Sequence, residues 1–182
     1  LRYTAQSSEL RNDMITVMRW NSPLREFMMS AGLYLAKAAG EIRLISSNSH
    51  VQPELDYHLL DHPYDLERMR AGVRMQIELG KHDAYKGILK ELKDPLPPDM
   101  ESDDSLNQWM LSRASTMHHI SCTARMGTAN DPMAVTNQYG QVHGFEGLRI
   151  ADLSIMPDCP RANTNSPAIM IGERIADFIK AE

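Results

Sequence analysis

The chain is short of crosslinking sulfur, of basic blocks and of long apolar runs, and each shortage removes a class of protein. Only Cys122 and Cys159 are present among 182 residues. Two cysteines make neither a disulfide framework nor a metal cluster. One bridge is possible, but two reduced thiols are favoured, so the redox compartment stays open, with a soluble, cytoplasmic setting only slightly favoured. No His-Glu-x-x-His or Cys-x-x-Cys spacing occurs, and His50, His58, His62, His82 and His143 are scattered, which argues against metal catalysis. No Lys/Arg block appears and the net charge is -5, with a pI of about 5.8, so nucleic acid and anionic membranes are disfavoured as partners. No apolar run approaches the ~20 residues of a membrane span. Internal repeats and low-complexity tracts are absent as well. Leu1 stands first in place of methionine with no signal region after it, and the expectation is that the natural start lies upstream.

What is there suits a folded core. Hydrophobic residues make up 42% and charged residues 24%, near the values of soluble globular proteins, and the length fits a single domain. Thirteen methionines serve either as adaptable core filler or as an oxidation-prone lining of an apolar pocket.

Residues 1–13 are polar and read as a loop or frayed end. Met14 to Trp20 is rich in apolar and β-branched residues and predicts a strand. Glu41 to Ser46 alternates polar and apolar with period two, predicting a half-buried strand after Gly40. Ser47-Asn48-Ser49 is turn chemistry, and Pro53 to Tyr57 follows as a short second strand. Asp65 suits a helix cap, with Leu66, Met69, Val73 and Ile77 at helical spacing behind it. Asp94-Pro95-Leu96-Pro97-Pro98 excludes helix interior. Ser102 to Ser105 opens a second helix, with Leu106, Trp109, Met110, Ala114 and Met117 as apolar positions, delivering His118 and His119 from its C-terminal end. Ser121 to Gly147 is mostly loop. Leu148 to Asp152 predicts a short strand, and Pro167 suits the first turn of a last helix lined by Ile171, Ile175 and Phe178. Strands followed by helices imply an α+β fold, or one part of a larger α/β protein.

Three blocks carry candidate chemistry. In the first, His119 is followed by Ser121, Cys122, Thr123 and Ala124, where small side chains let the backbone approach a ligand closely. With an ordinary pKa of ~6.5, a histidine there accepts a proton near neutral pH, or it is simply satisfied by neighbouring backbone. His118 is adjacent and points elsewhere, as a packing or pocket-wall residue. In the second block, Asp152 either accepts from a cofactor hydroxyl or caps the next turn. In the third, Asn163-Thr164-Asn165-Ser166 is a dense set of donors and acceptors at a helix N-terminus, where amides favour electron-rich groups. The same residues are also ordinary caps and turns. Arg161 pairs either with an acidic substrate or with Asp158.

Taken together, His119 to Gly127, Val142 to Pro157 and Asn163 to Pro167 resemble the C-terminal signature of the glucose-methanol-choline (GMC) flavoprotein oxidoreductases. Its pattern is roughly His-x-x-Gly-Thr-x-x-Met-Gly, then Val-x-Gly-x-x-Gly-Leu-Arg-Val-x-Asp-x-Ser-x-Met-Pro, then Asn-Thr-Asn-x-Pro and a helix. Order and spacing match across the three blocks, and Glu41 to Leu60 looks like the strand pair preceding the family's substrate-domain helices. The resemblance implies the C-terminal part of a two-domain α/β flavoprotein. Residues 1–117 would be a substrate-binding cap portion, and 118–182 a catalytic segment returning to the FAD domain.

The resemblance also implies roles. His119 falls on the catalytic histidine that accepts the hydroxyl proton of an alcohol or sugar, and Asn163 on the second catalytic position. Asp152, Leu153, Thr164 and Asn165 fall where relatives contact FAD. His118, Cys122 and Arg161 are expected to line the substrate pocket. Two departures stand out. Cys122 replaces the pattern's glycine, and Thr136-Asn137 stands before the second block where relatives have valine-aspartate. The larger departure is an absence, since the glycine-rich dinucleotide fingerprint that opens family members is missing. The expectation is therefore a C-terminal portion that works with an FAD-binding portion or partner chain. Two other readings stand beside the FAD-dependent alcohol or sugar oxidoreductase: a non-catalytic subunit that stabilises a flavoprotein, and a lyase on the same scaffold.

Overall fold

Met14–Asn21 (β2) lies at the centre of an antiparallel sheet, flanked by Arg2–Tyr3 (β1) and Glu26–Leu33 (β3), in the computed structural model, which describes residues 1–6 and 8–182. The register runs from Met14 opposite Leu33 to Asn21 opposite Glu26. A four-residue connection closes the hairpin, with Arg25 left-handed at φ 53 and its amide donating to the Ser22 carbonyl. The sequence does not announce β3, because Glu26 to Leu33 holds no β-branched residue and carries Ala31-Gly32 near its end. It forms because pairing with β2 satisfies its backbone along the whole length. The expected N-terminal loop is also corrected. The paired β1 and the fully buried Asp13 lie within residues 1–13.

Glu41–Arg43 (β4) and Glu54–Asp56 (β5) pair in a separate two-stranded sheet, the first shorter than its alternation suggested. Pro63–Gly80 (α1) starts at His62, whose ring nitrogen accepts from the Tyr64 amide, with Pro63 at the position where a missing N–H costs nothing. Asp65 is thus not the cap. It is fully buried, accepting from the Lys37 and Ala38 amides and from Arg68. Asp103–Arg113 (α2) begins at Ser102, which forms a reciprocal capping pair with Ser105. Asn165–Lys180 (α3) closes the chain. Leu148 to Asp152 makes only a bridge between Gln141 and Arg149, not the expected strand.

The chain folds as two compact units. One comprises residues 1–40 and 56–115, and the other 41–55 and 116–182. In the first, Val73, Leu106 and Met110 form the buried core, surrounded by Ala31, Leu66, Met69 and Ile77. Each large apolar side chain so buried contributes roughly 1.5–3 kcal/mol. The same unit holds a buried ionic knot. Arg68 donates from Nη1 to Asp13 at 2.9 Å and to the Tyr34 carbonyl, and from Nη2 to Asp65 at 2.7 Å and to the Leu35 carbonyl. Two carboxylates face one guanidinium, and backbone amides of Ala5, Lys37 and Ala38 supply the remaining positive ends. In the second unit Ile155, Ile171 and Ile175 form the core, with Met126, Ile150, Leu153 and Phe178 against it. Among the described residues no helix is long and apolar enough to cross a membrane.

Candidate active site

The second unit carries every candidate site residue. Helix α2 stops at Arg113, where Ala114 turns extended at ψ 135. His118 and His119 therefore sit on a loop beyond it rather than on its last turn. The loop reverses at His118, which is left-handed at φ 60 and whose amide donates to Thr116 Oγ1. That reversal leaves His118 exposed and turns His119 inward to a half-buried position.

After His119 the chain runs along the short 3₁₀ turn Leu153–Ile155. The amides of Cys122, Ala124 and Met126 donate in step to the carbonyls of Leu153, Ser154 and Ile155, at 3.2, 2.9 and 2.8 Å. This ladder welds the first block to the second. Cys122, the first rung, has a φ of 69, in the left-handed region where glycine is free and other residues are strained. Burial pushes the Cys122 thiol up, so at neutral pH it is a protonated, weakly nucleophilic group.

Further along, the Gly127 amide donates to the Thr136 carbonyl, His143 Nε2 shares a hydrogen bond with the Gly127 carbonyl, and Arg125 clamps Asp131. Arg125 and the Asp131-to-Met133 amide bond together hold the Asp131 carboxyl below its ordinary range, the backbone bond being the stronger influence. Gly140 makes the next turn at φ 72. A Cβ there would lie 2.6 Å from the Ile150 carbonyl oxygen, so the close approach requires glycine.

Asp152 caps the 3₁₀ turn, accepting from the Ser154 amide at 2.8 Å, and Leu153 beside it packs half-buried on the isoleucine core. Arg161, Asn163 and Asn165 are exposed, and Thr164 is buried. Thr164 holds the N-cap position of α3, yet its hydroxyl does not cap the helix. It hydrogen-bonds His119 Nδ1 at 2.9 Å instead. The third block is thereby joined to the first, and Asn163 adjoins the residue that His119 touches. No spacing rule connects His119 with Thr164, 45 positions apart, so this tie had no sequence signal of its own. The Asn165 and Ser166 amides, the two N–H groups that open α3 ahead of Pro167, have no intrahelical acceptor and no cap from the Thr164 side chain, which suits an electron-rich oxygen of a ligand.

Chemically, the arrangement sets an imidazole beside a helix N-terminus that carries amide donors. That pairing can accept a proton from a hydroxyl and hold the oxygen it leaves.

Known proteins share the sequence pattern and the fold. The sequence pattern of the family described as GMC oxidoreductase matches residues 36–172. An oxygen-dependent choline dehydrogenase of Stenotrophomonas maltophilia is 35% identical over 157 residues, covering 85% of this chain and 27% of that protein. A fungal aryl-alcohol oxidase structure superposes with a TM-score of 0.75 at 28% identity, covering 93% of this chain and 28% of its own. A formate oxidase structure of Aspergillus oryzae RIB40, determined in work on FAD modification, gives 0.77 at 29%, covering 85% and 27%. The chain thus spans about a quarter of the length of the curated relatives it matches.

Proposed function

This chain belongs to the GMC oxidoreductase family as a C-terminal portion, and on that premise we propose that it supplies the proton-accepting side of an FAD-dependent oxidation of a CH–OH group in an alcohol or sugar. The observation that carries the reading is the meeting of the three blocks. His119 bonds to Thr164 at the head of α3, while the same loop is laddered onto Leu153–Ile155.

Asp152, Leu153, Thr164 and Asn165 would hold the cofactor, and the Asn165 and Ser166 amides at the head of α3 suit an electron-rich edge of a flavin. Bound FAD supplies a hydride acceptor at N5. His119 would take the hydroxyl proton of the substrate, and Asn163 would donate a hydrogen bond to the same oxygen. His118, Cys122 and Arg161 contribute to the wall of the substrate pocket.

Residues 1–117 act as a substrate-binding cap portion and 118–182 as the catalytic segment. The missing dinucleotide fingerprint is provided by an FAD-binding portion or partner chain. Ile169, Met170 and Ile179 of α3 are 60%, 58% and 53% exposed, an apolar surface suited to such a neighbour.

His119→Ala in the flavin-loaded enzyme tests the reading. Anaerobic flavin bleaching by a panel of primary alcohols and sugars is expected to slow roughly 10²–10⁴-fold, the usual worth of a placed general base. An unchanged bleaching rate would refute it.

A further inference from the structure

We infer that Thr164 is a positioning residue that fixes the ring orientation and tautomer of His119, so that Nε2 carries the lone pair. The inference rests on the reading of His119 as the base.

The argument starts from what Thr164 does not do. A threonine at an N-cap usually has extended backbone and turns its oxygen onto the helix amides. Thr164 instead has φ -93 and ψ 1, and makes no side-chain cap bond. Its hydroxyl lies 2.9 Å from His119 Nδ1, and the residue is only 2% exposed. A helix end thus forgoes its cap while a buried hydroxyl faces an imidazole.

The chemistry then decides the direction. A neutral imidazole has one N–H and one lone pair, and the partner of one nitrogen selects the state of the other. If Thr164 Oγ1 accepts from Nδ1–H, Nε2 is left as a base. If Thr164 donates, Nε2 carries the hydrogen and cannot take a proton. General-base action at His119 requires the first arrangement. It also gives the imidazolium formed on proton uptake a ready acceptor for Nδ1–H. Threonine suits the task because its branched Cβ restricts χ1, so the oxygen is held in place by the start of α3. The backbone of Thr164 still shapes the helix N-terminus, since its carbonyl accepts from the Ala168 amide.

The test compares Thr164→Val, which keeps the shape and removes the hydroxyl, with Thr164→Ser, which restores it. In the full chain labelled with ¹⁵N-histidine, the His119 ring nitrogens are expected to show Nδ1–H in the native protein and a mixed tautomer in Thr164→Val. In the flavin-loaded enzyme, Thr164→Val is expected to lower kcat roughly 10–100-fold with KM little changed, and to move the acidic limb of the pH–rate profile. Thr164→Ser is expected to recover most of both. Native ring shifts and a native pH profile in Thr164→Val would overturn the inference, as would a serine variant no better than valine. A moved tautomer together with an active His119→Ala enzyme would uphold the positioning role and refute the base assignment, so the two failures are separable.

Discussion

Replacing Arg68 with methionine isolates the buried ionic knot. The guanidinium is fully buried and makes four hydrogen bonds, to Asp13, Asp65 and the carbonyls of Tyr34 and Leu35. Methionine fills much of the same space but leaves two buried carboxylates without a cation. Asp65 keeps the Lys37 and Ala38 amides and Asp13 keeps its Ser8 and Ala5 bonds, so each carboxylate loses its cation while retaining part of its hydrogen bonding. Removing one partner of a buried ion pair costs about 3–5 kcal/mol. At ~2–4 °C per kcal/mol for a chain of this length, the melting temperature falls by roughly 6–20 °C, read by circular dichroism at pH 7.

The pH dependence supplies a second check. Burial pushes the Asp13 carboxyl up, but the Ser8, Arg68 and Ala5 bonds together outweigh burial and hold it below its ordinary range. A depressed carboxyl contributes stability that is present above its unfolded pKa of ~3.9 and is lost as pH falls through the folded value. Without Arg68, Asp13 is easier to protonate, so the variant's deficit is largest near neutrality and narrows towards pH 4. A loss below about 1 kcal/mol, or a deficit equal at pH 4 and pH 7, would refute the reasoning.

Other positions make sharper local predictions. At Cys122, with φ 69, glycine is expected to match or exceed the native stability by up to ~1 kcal/mol and valine to lose ~1–2 kcal/mol, measured by urea denaturation. Gly140→Ala is expected to cost about 2 kcal/mol or more in the same assay, since the new Cβ meets the Ile150 carbonyl and the backbone is left-handed. His58 lies between the Ala39 carbonyl and the Asp56 carboxylate, and these hold its pKa up, the Ala39 bond foremost. Its stabilising effect is present below the free-imidazole pKa of ~6.5 and is lost as pH rises through the raised value. An NMR titration should place the His58 midpoint above that of a free histidine, and Asp56→Asn should lower it.

The legible parts of the fold are those where local pattern and final packing agree. Met14–Asn21 has β-branched residues, α1 and α2 have apolar positions at helical spacing, and Ile171, Ile175 and Phe178 line the core side of α3 as their period required. The misreadings share one physical cause. Glu26–Leu33 becomes a strand only because β2 offers it a backbone partner, and Asp65 is drawn from capping into burial by Arg68. Leu148 to Asp152 had strand composition but gained only a bridge, and α2 ended before the histidines because Ala114 turned extended.

Family membership lay in the sequence by itself, because His119, Asp152 and Asn163 stand in an ordered pattern of small residues that chance does not readily produce. The glycine that the pattern expects at Cys122 marks a left-handed backbone, and that requirement survives the substitution as φ 69. Only the tertiary structure decided which side chains meet. The Thr164 hydroxyl faces His119 across 45 residues, and Asp13, Arg68 and Asp65 converge from a strand edge and a helix. Such contacts depend on where the backbone returns in space, and composition, periodicity and spacing carry information only about near neighbours along the chain.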